Sequence, residues 1–105
     1  MASSYAISLE VSLPPEQTEA AVYQAFLHAG IGQVAGGGGI MRGKVGAGWQ
    51  SWGEDVLAII GHGPRGTVVQ LRSESTLPTT LVDWGRNRQN LERVVAALRA
   101  LAPVI

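Results

Sequence analysis

Ten of the fourteen glycines in this 105-residue chain fall between Gly30 and Gly53, with four consecutive at Gly36–Gly39. Glycine loses more backbone entropy on ordering than any other residue and has no side chain to bury. The run Gly36–Gly39 therefore predicts a flexible loop or a strand-entry turn. After it, Met41, Gly43, Val45, Ala47 and Trp49 alternate with Arg42, Lys44, Gly46, Gly48 and Gln50. This is the period of a thin, Gly-rich strand over 40–50 that bends easily.

A chain built this way needs its core from elsewhere, and the flanking pattern supplies one. Tyr5, Ile7, Leu9 and Val11 alternate with Ala6, Ser8, Glu10 and Ser12, predicting a first strand with one wet face. Pro14 and Pro15 stop it. Pro15 suits a first helical turn, Glu16 and Glu19 suit the positive end of the helix dipole, and Val22, Ala25, Phe26 and Ala29 recur at helical spacing. The helix runs near 15–29, with Gly30 closing it in the left-handed conformation and Ile31 folding back as an apolar cap.

Val56 to Ile60 is a short apolar run that fits a central strand. Gly61-His62-Gly63-Pro64-Arg65-Gly66 has turn composition, and Thr67 to Ser75 alternates again. Thr80 and Asp83 resemble a capping box ahead of a last helix, whose stripe is Leu91, Val94, Val95, Leu98 and Leu101 and whose end is Pro103. Gly85 marks either close packing or a helix that begins after it. The order β-α-β-β-β-α predicts one α+β domain over 1–105: a two-layer sandwich with a mainly antiparallel twisted sheet of about four strands and a long C-terminal helix on one face.

Composition narrows the function. The net charge is zero, 15% of residues are charged, and cysteine is absent, which excludes disulfides and thiolate metal sites. There is no apolar run of the roughly 18–20 residues needed to span a bilayer, and the N-terminus lacks the basic start of a signal peptide; we expect a cytoplasmic protein. Charge is distributed unevenly. Residues 1–41 hold Glu10, Glu16 and Glu19 and no Lys or Arg, whereas residues 42–105 carry a net +3.

Catalytic chemistry is thinly supplied. Gly38 to Lys44 spell G-x-x-x-x-G-K, but Val45 stands where a phosphate-binding loop needs Ser or Thr, and Gly46 and Gly48 oppose the helix that must follow. His28 and His62 are isolated. Glu54 and Asp55 are adjacent, so on a strand they point to opposite faces and do not act as a pair. Ser73 and Ser75 have no evident His partner. We expect no metal, no cofactor and no catalysis.

The stretch Ser51-Trp52-Gly53-Glu54, then Arg72-Ser73-Glu74-Ser75, then Leu81-Val82-Asp83-Trp84-Gly85-Arg86-Asn87-Arg88-Gln89-Asn90 resembles a small family of uncharacterised bacterial domains. In these, a strand ending in RSxS precedes a DWGxNxxN helix. The resemblance covers roughly residues 40–101; it implies the strand–helix fold and no particular activity.

Two functional expectations follow, beside structural ones. Trp49, Trp52 and Trp84 serve as core and rim packing. Together with Val45 they also form a candidate lining for a groove between the Gly-rich strand and the last helix, taking an apolar ligand or a protein partner without catalysis. The alternative is single-stranded nucleic-acid binding through Arg42, Lys44, Arg86, Arg88 and Arg93. Against it, the Arg and Asn residues at the helix start also suit hydrogen bonding to loop carbonyls. Self-association into a homo-oligomer through an edge strand is a further expectation.

Overall fold

The structure is a computed structural model that describes residues 3–46, 53–76 and 85–105. Strand β1 (Ser4–Val11) leads into helix α1 (Pro15–His28). Strands β2 (Gly32–Gly37), β3 (Ile40–Val45), β4 (Glu54–His62) and β5 (Thr67–Ser75) follow, and helix α2 (Arg86–Leu101) ends the order. The sheet order is β1-β5-β4-β3-β2, with every neighbouring pair antiparallel. Both helices pack on one face, so the α+β sandwich has the layers expected, with one strand more.

That extra strand corrects the reading of the Gly-rich run. Residues 32–37 form β2, and only Gly38 and Gly39, at φ +66° and +87°, make the turn. Two left-handed residues in succession make a turn whose twist matches that of the flanking strands. β3 ends at Val45; residues 47–50 of the expected strand lie outside the described residues.

The other local signals act as expected. Pro15 opens α1, and Thr18, Val22, Ala25 and Phe26 form its buried stripe. Gly30 at φ +80° closes it, with the Gly30 N–H donating to the Leu27 carbonyl and the Ile31 N–H to that of Phe26. Ile31 is buried as the folded-back cap. Helix α2 begins at Arg86, after Gly85 at φ +76°. The Thr80–Asp83 capping box lies outside the described residues.

Register places Ile7, Leu9 and Val11 beside Leu71, Val69 and Thr67 on the inner face, continued by Ile60, Ala58 and Val56 and then by Met41. Phe26, Leu91, Val94 and Leu98 pack down onto this face from the helices, and all are fully buried. The tail returns along the edge of β1. There the Ser12 N–H donates to the Pro103 carbonyl, Val104 bridges Val11, and the Ile105 N–H donates to the Glu10 carbonyl.

Candidate functional site

Apart from Thr18 and Thr67, whose hydroxyls donate to the Leu13 carbonyl at 3.3 and 2.7 Å, the buried polar side chains among the described residues gather at one end of the interior. Along α2 the inward stripe reads Asn87, Asn90, Leu91, Val94, Leu98. Along β5 it reads Thr67, Val69, Leu71, Ser73, Ser75, and β4 contributes Glu54 at its start, opposite Ser75. Thr67 apart, the polar members of all three elements therefore coincide where β4 begins, β5 ends and α2 starts.

Glu54, Ser73 and Asn87 are completely buried, and Asn90 is nearly so. A buried carboxylate is tolerated only when it is paired and hydrogen-bonded. Arg86 Nε donates to both Glu54 oxygens at 3.1 and 3.2 Å. Asn90 Nδ2 donates to Glu54 Oε1 at 2.9 Å and to Ser73 Oγ at 3.2 Å. The Ser73 hydroxyl donates to Asn87 Oδ1 at 2.7 Å, and Asn87 Nδ2 donates to the Ser3 carbonyl at 3.1 Å and to Ser75 Oγ at 3.2 Å. Arg93 Nη2 closes the set on Asn90 Oδ1 at 2.7 Å. Among the described residues no buried side-chain nitrogen or oxygen lacks a partner.

Chemically this network holds a carboxylate, two guanidiniums, two amides and two hydroxyls in fixed orientation. The Ser73-x-Ser75 and Asn87-x-x-Asn90 halves of the motif noted in the sequence hydrogen-bond directly to each other. Sequence reasoning expected Glu54 and Asp55 on opposite faces, and they are: Glu54 is buried, while Asp55 is exposed and paired with Lys44 Nζ at 2.9 Å. It missed the partnership of Glu54 with Arg86 and Asn90. The signal was phase. Glu54 lies in step with Val56, Ala58 and Ile60, and Ser73 and Ser75 in step with Leu71.

The expected groove residues separate into two groups. Val45 is half-buried and pairs with Glu54 at this same end, whereas Trp49, Trp52 and Trp84 lie outside the described residues. The inner-face glycine of β3, Gly43, is covered by the protein itself. A Cβ built there meets Ile31 Cγ2, the Gly32 carbonyl oxygen at 3.2 Å and Val34 Cγ2 at 3.4 Å. Its missing side chain admits the apolar cap of α1. Gly43→Ala is therefore expected to lower the unfolding free energy by about 1–3 kcal/mol. Adding Ile31→Ala should make the glycine substitution cheap. Urea unfolding of the four members of this cycle checks both, and a neutral Gly43→Ala would mean that the space is open.

The five cations of the nucleic-acid alternative are not brought together. Arg42 and Lys44 stand on the exposed outer face of β3. Arg86 pairs with Glu54, Arg88 pairs with Glu92 one turn along, and Arg93 serves Asn90, all on α2 across the sheet. His28 and His62 are exposed, and among the described residues no three His, Cys, Asp or Glu side chains cluster as a metal site would require. Among the described residues no helix is long and apolar enough to cross a membrane.

No family model and no curated protein matches the chain, but solved structures do. The di-domain ARO/CYC StfQ from the steffimycin biosynthetic pathway aligns over 97% of this chain with TM-score 0.60 and 11% identity. This chain spans about half of that protein, 51% of its length. Ara h 8.0201 aligns over 95% of this chain and 97% of its own, with TM-score 0.58 and 9% identity. An uncharacterized protein from Rhizobium leguminosarum aligns over 96% of this chain and 94% of its own, with TM-score 0.53 and 11% identity. At such identities what is shared is the fold: an antiparallel sheet with a long C-terminal helix laid across one face, the helix-grip arrangement.

Proposed function

We propose that this chain is a small non-catalytic binding module. It takes an apolar or aromatic ligand, or an apolar side chain of a protein partner, at the end of the sandwich where β3 ends and α2 begins. The observation that carries this reading is the junction of half-buried Val45 with the saturated polar floor at Glu54. Arg86, whose side chain is 25% exposed, stands at the rim of that floor. Ligand sites combine apolar walls with a few fixed polar groups, and a network whose members are already hydrogen-bonded holds its geometry without a guest. Two chain neighbours of the site are tryptophans: Trp52 is bonded to Gly53 and Trp84 to Gly85. The likeness to an ARO/CYC protein from a biosynthetic pathway supports a small organic guest.

The test is intrinsic tryptophan fluorescence during titration with 1-anilinonaphthalene-8-sulfonate and with palmitate. A saturable change, with palmitate displacing the dye, is the expected result. A strictly linear response to every member of the panel sinks the reading. Arg42 and Lys44 stand on the outer face of β3 while Arg88 and Arg93 belong to α2, which favours a ligand over single-stranded nucleic acid as the guest.

A further inference from the structure

The two edges of the sheet are guarded very differently. On β1 the C-terminal residues Pro103–Ile105 occupy the edge at its Val11 end. On β2, the other outer strand, the sequence Gly-Gln-Val-Ala-Gly-Gly contains no charge and no proline, and only Val34 is even half-buried. Natural sheets blunt free edges with lysine, proline, bulges or a covering segment. β2 has one such device, the register shift between Gly32 and Ala35, where Gln33 sits at φ +52°. It spares the half from Ala35 to Gly37, which pairs regularly with Arg42, Met41 and Ile40.

Beside that regular half lies a hollow of about 650 Å³, whose walls include Val34, Gly36 and Met41 from the sheet and Glu16, Glu19 and Tyr23 from α1. Glu16 is exposed and Glu19 half-buried, and neither makes a hydrogen bond or ion pair among the described residues. They stand one helical turn apart as like charges, within the part of the chain that holds three acids and no Lys or Arg before Arg42. On the other face of the same edge Ile40, paired with Gly37, is 41% exposed.

We propose that β2 accepts an added strand from a protein partner: an extended, basic segment that pairs with Val34–Gly37. Backbone groups on alternate edge residues supply the affinity, as in other strand additions. Strand periodicity then sets the chemistry of the guest. Side chains over α1 are Lys or Arg, meeting Glu16 and Glu19, while those between them are uncharged and lie beside Ile40. A second copy of this chain fits less well, because a twofold pairing of β2 with β2 places two acidic α1 helices side by side. The site is independent of the ligand site proposed above, which lies where β3 ends and α2 begins.

The experiment uses the full chain, ¹⁵N-labelled, and two acetylated peptides, one of alternating lysine and valine and the other of alternating glutamate and valine. The lysine peptide is expected to shift the amide resonances of residues 34–37 and to slow their hydrogen exchange. The glutamate peptide should do neither. Glu16→Gln with Glu19→Gln should weaken the lysine peptide about tenfold, the loss of one exposed and one half-buried ion pair. Glu92→Gln on α2 should leave it unchanged. Equal binding of both peptides, shifts confined to other strands, or protection of β2 that rises with protein concentration in the absence of peptide would each overturn the proposal. The last outcome would assign the edge to a second copy.

Discussion

Arg86→Met is expected to lower the unfolding free energy by about 3–5 kcal/mol, toward the lower end because the arginine is partly solvated. The substitution removes the cation and leaves the Glu54 carboxylate inside the sandwich, where its side chain is 0% exposed. Asn90 remains as a donor to Glu54 Oε1, but a neutral amide does not replace a guanidinium that reaches both oxygens. The contrast that isolates burial is Arg88→Met, two residues along the same helix. Arg88 pairs with Glu92 at 3.6 Å with both side chains at least 60% exposed. Such a pair is worth well under about 1 kcal/mol, so the midpoint in urea should barely move. Similar effects at both positions would mean that the Arg86–Glu54 pair is solvated and that the polar end is not a floor.

Asn87→Leu should cost about 3 kcal/mol, although leucine has the same number of side-chain heavy atoms as asparagine and is the more hydrophobic. The amide both accepts from Ser73 and donates to Ser75 and to the Ser3 carbonyl. The carbonyl keeps a second partner, the Ser75 N–H at 2.9 Å, so the loss falls mainly on the two buried hydroxyls. Because Ser73 also accepts from Asn90, the cost is shared through a network. Ser73→Ala should therefore be much less damaging in the Asn87→Leu background than in the wild-type chain. Strict additivity in a urea double-mutant cycle would contradict a coupled network.

Legibility followed the periodicity of side chains. β1 and β5 show clean alternation, and α1 carries its own boundaries in Pro15 and Gly30, so these were readable. β2 was not, because a strand of Gly, Gln, Val and Ala has no apolar period. What makes it a strand is the pairing partner delivered by the Gly38–Gly39 turn. The candidate site was half legible. The Ser73/Ser75 and Asn87/Asn90 pairs stood out as patterns. The Asn residues were expected to bond loop carbonyls, and Asn87 does reach the Ser3 carbonyl, but their main partners are the two serines and Glu54. Their contact with Glu54 was hidden, because Glu54 reads as one of an adjacent acidic pair until the phase of β4 is traced from Ile60 back to its first residue.

By itself the sequence determined the layers. Period-2 and period-3.6 patterns, helix stops and turn residues are local, so each segment carries its own signal. Tertiary structure alone decided the rest: that Ile31 covers Gly43, that β2 becomes the outer strand opposite β1, and that one end of the interior is polar. Each of these depends on residues from different elements meeting in the folded chain. Such meetings are set by strand register and by the close packing of the two helices, which no single segment encodes.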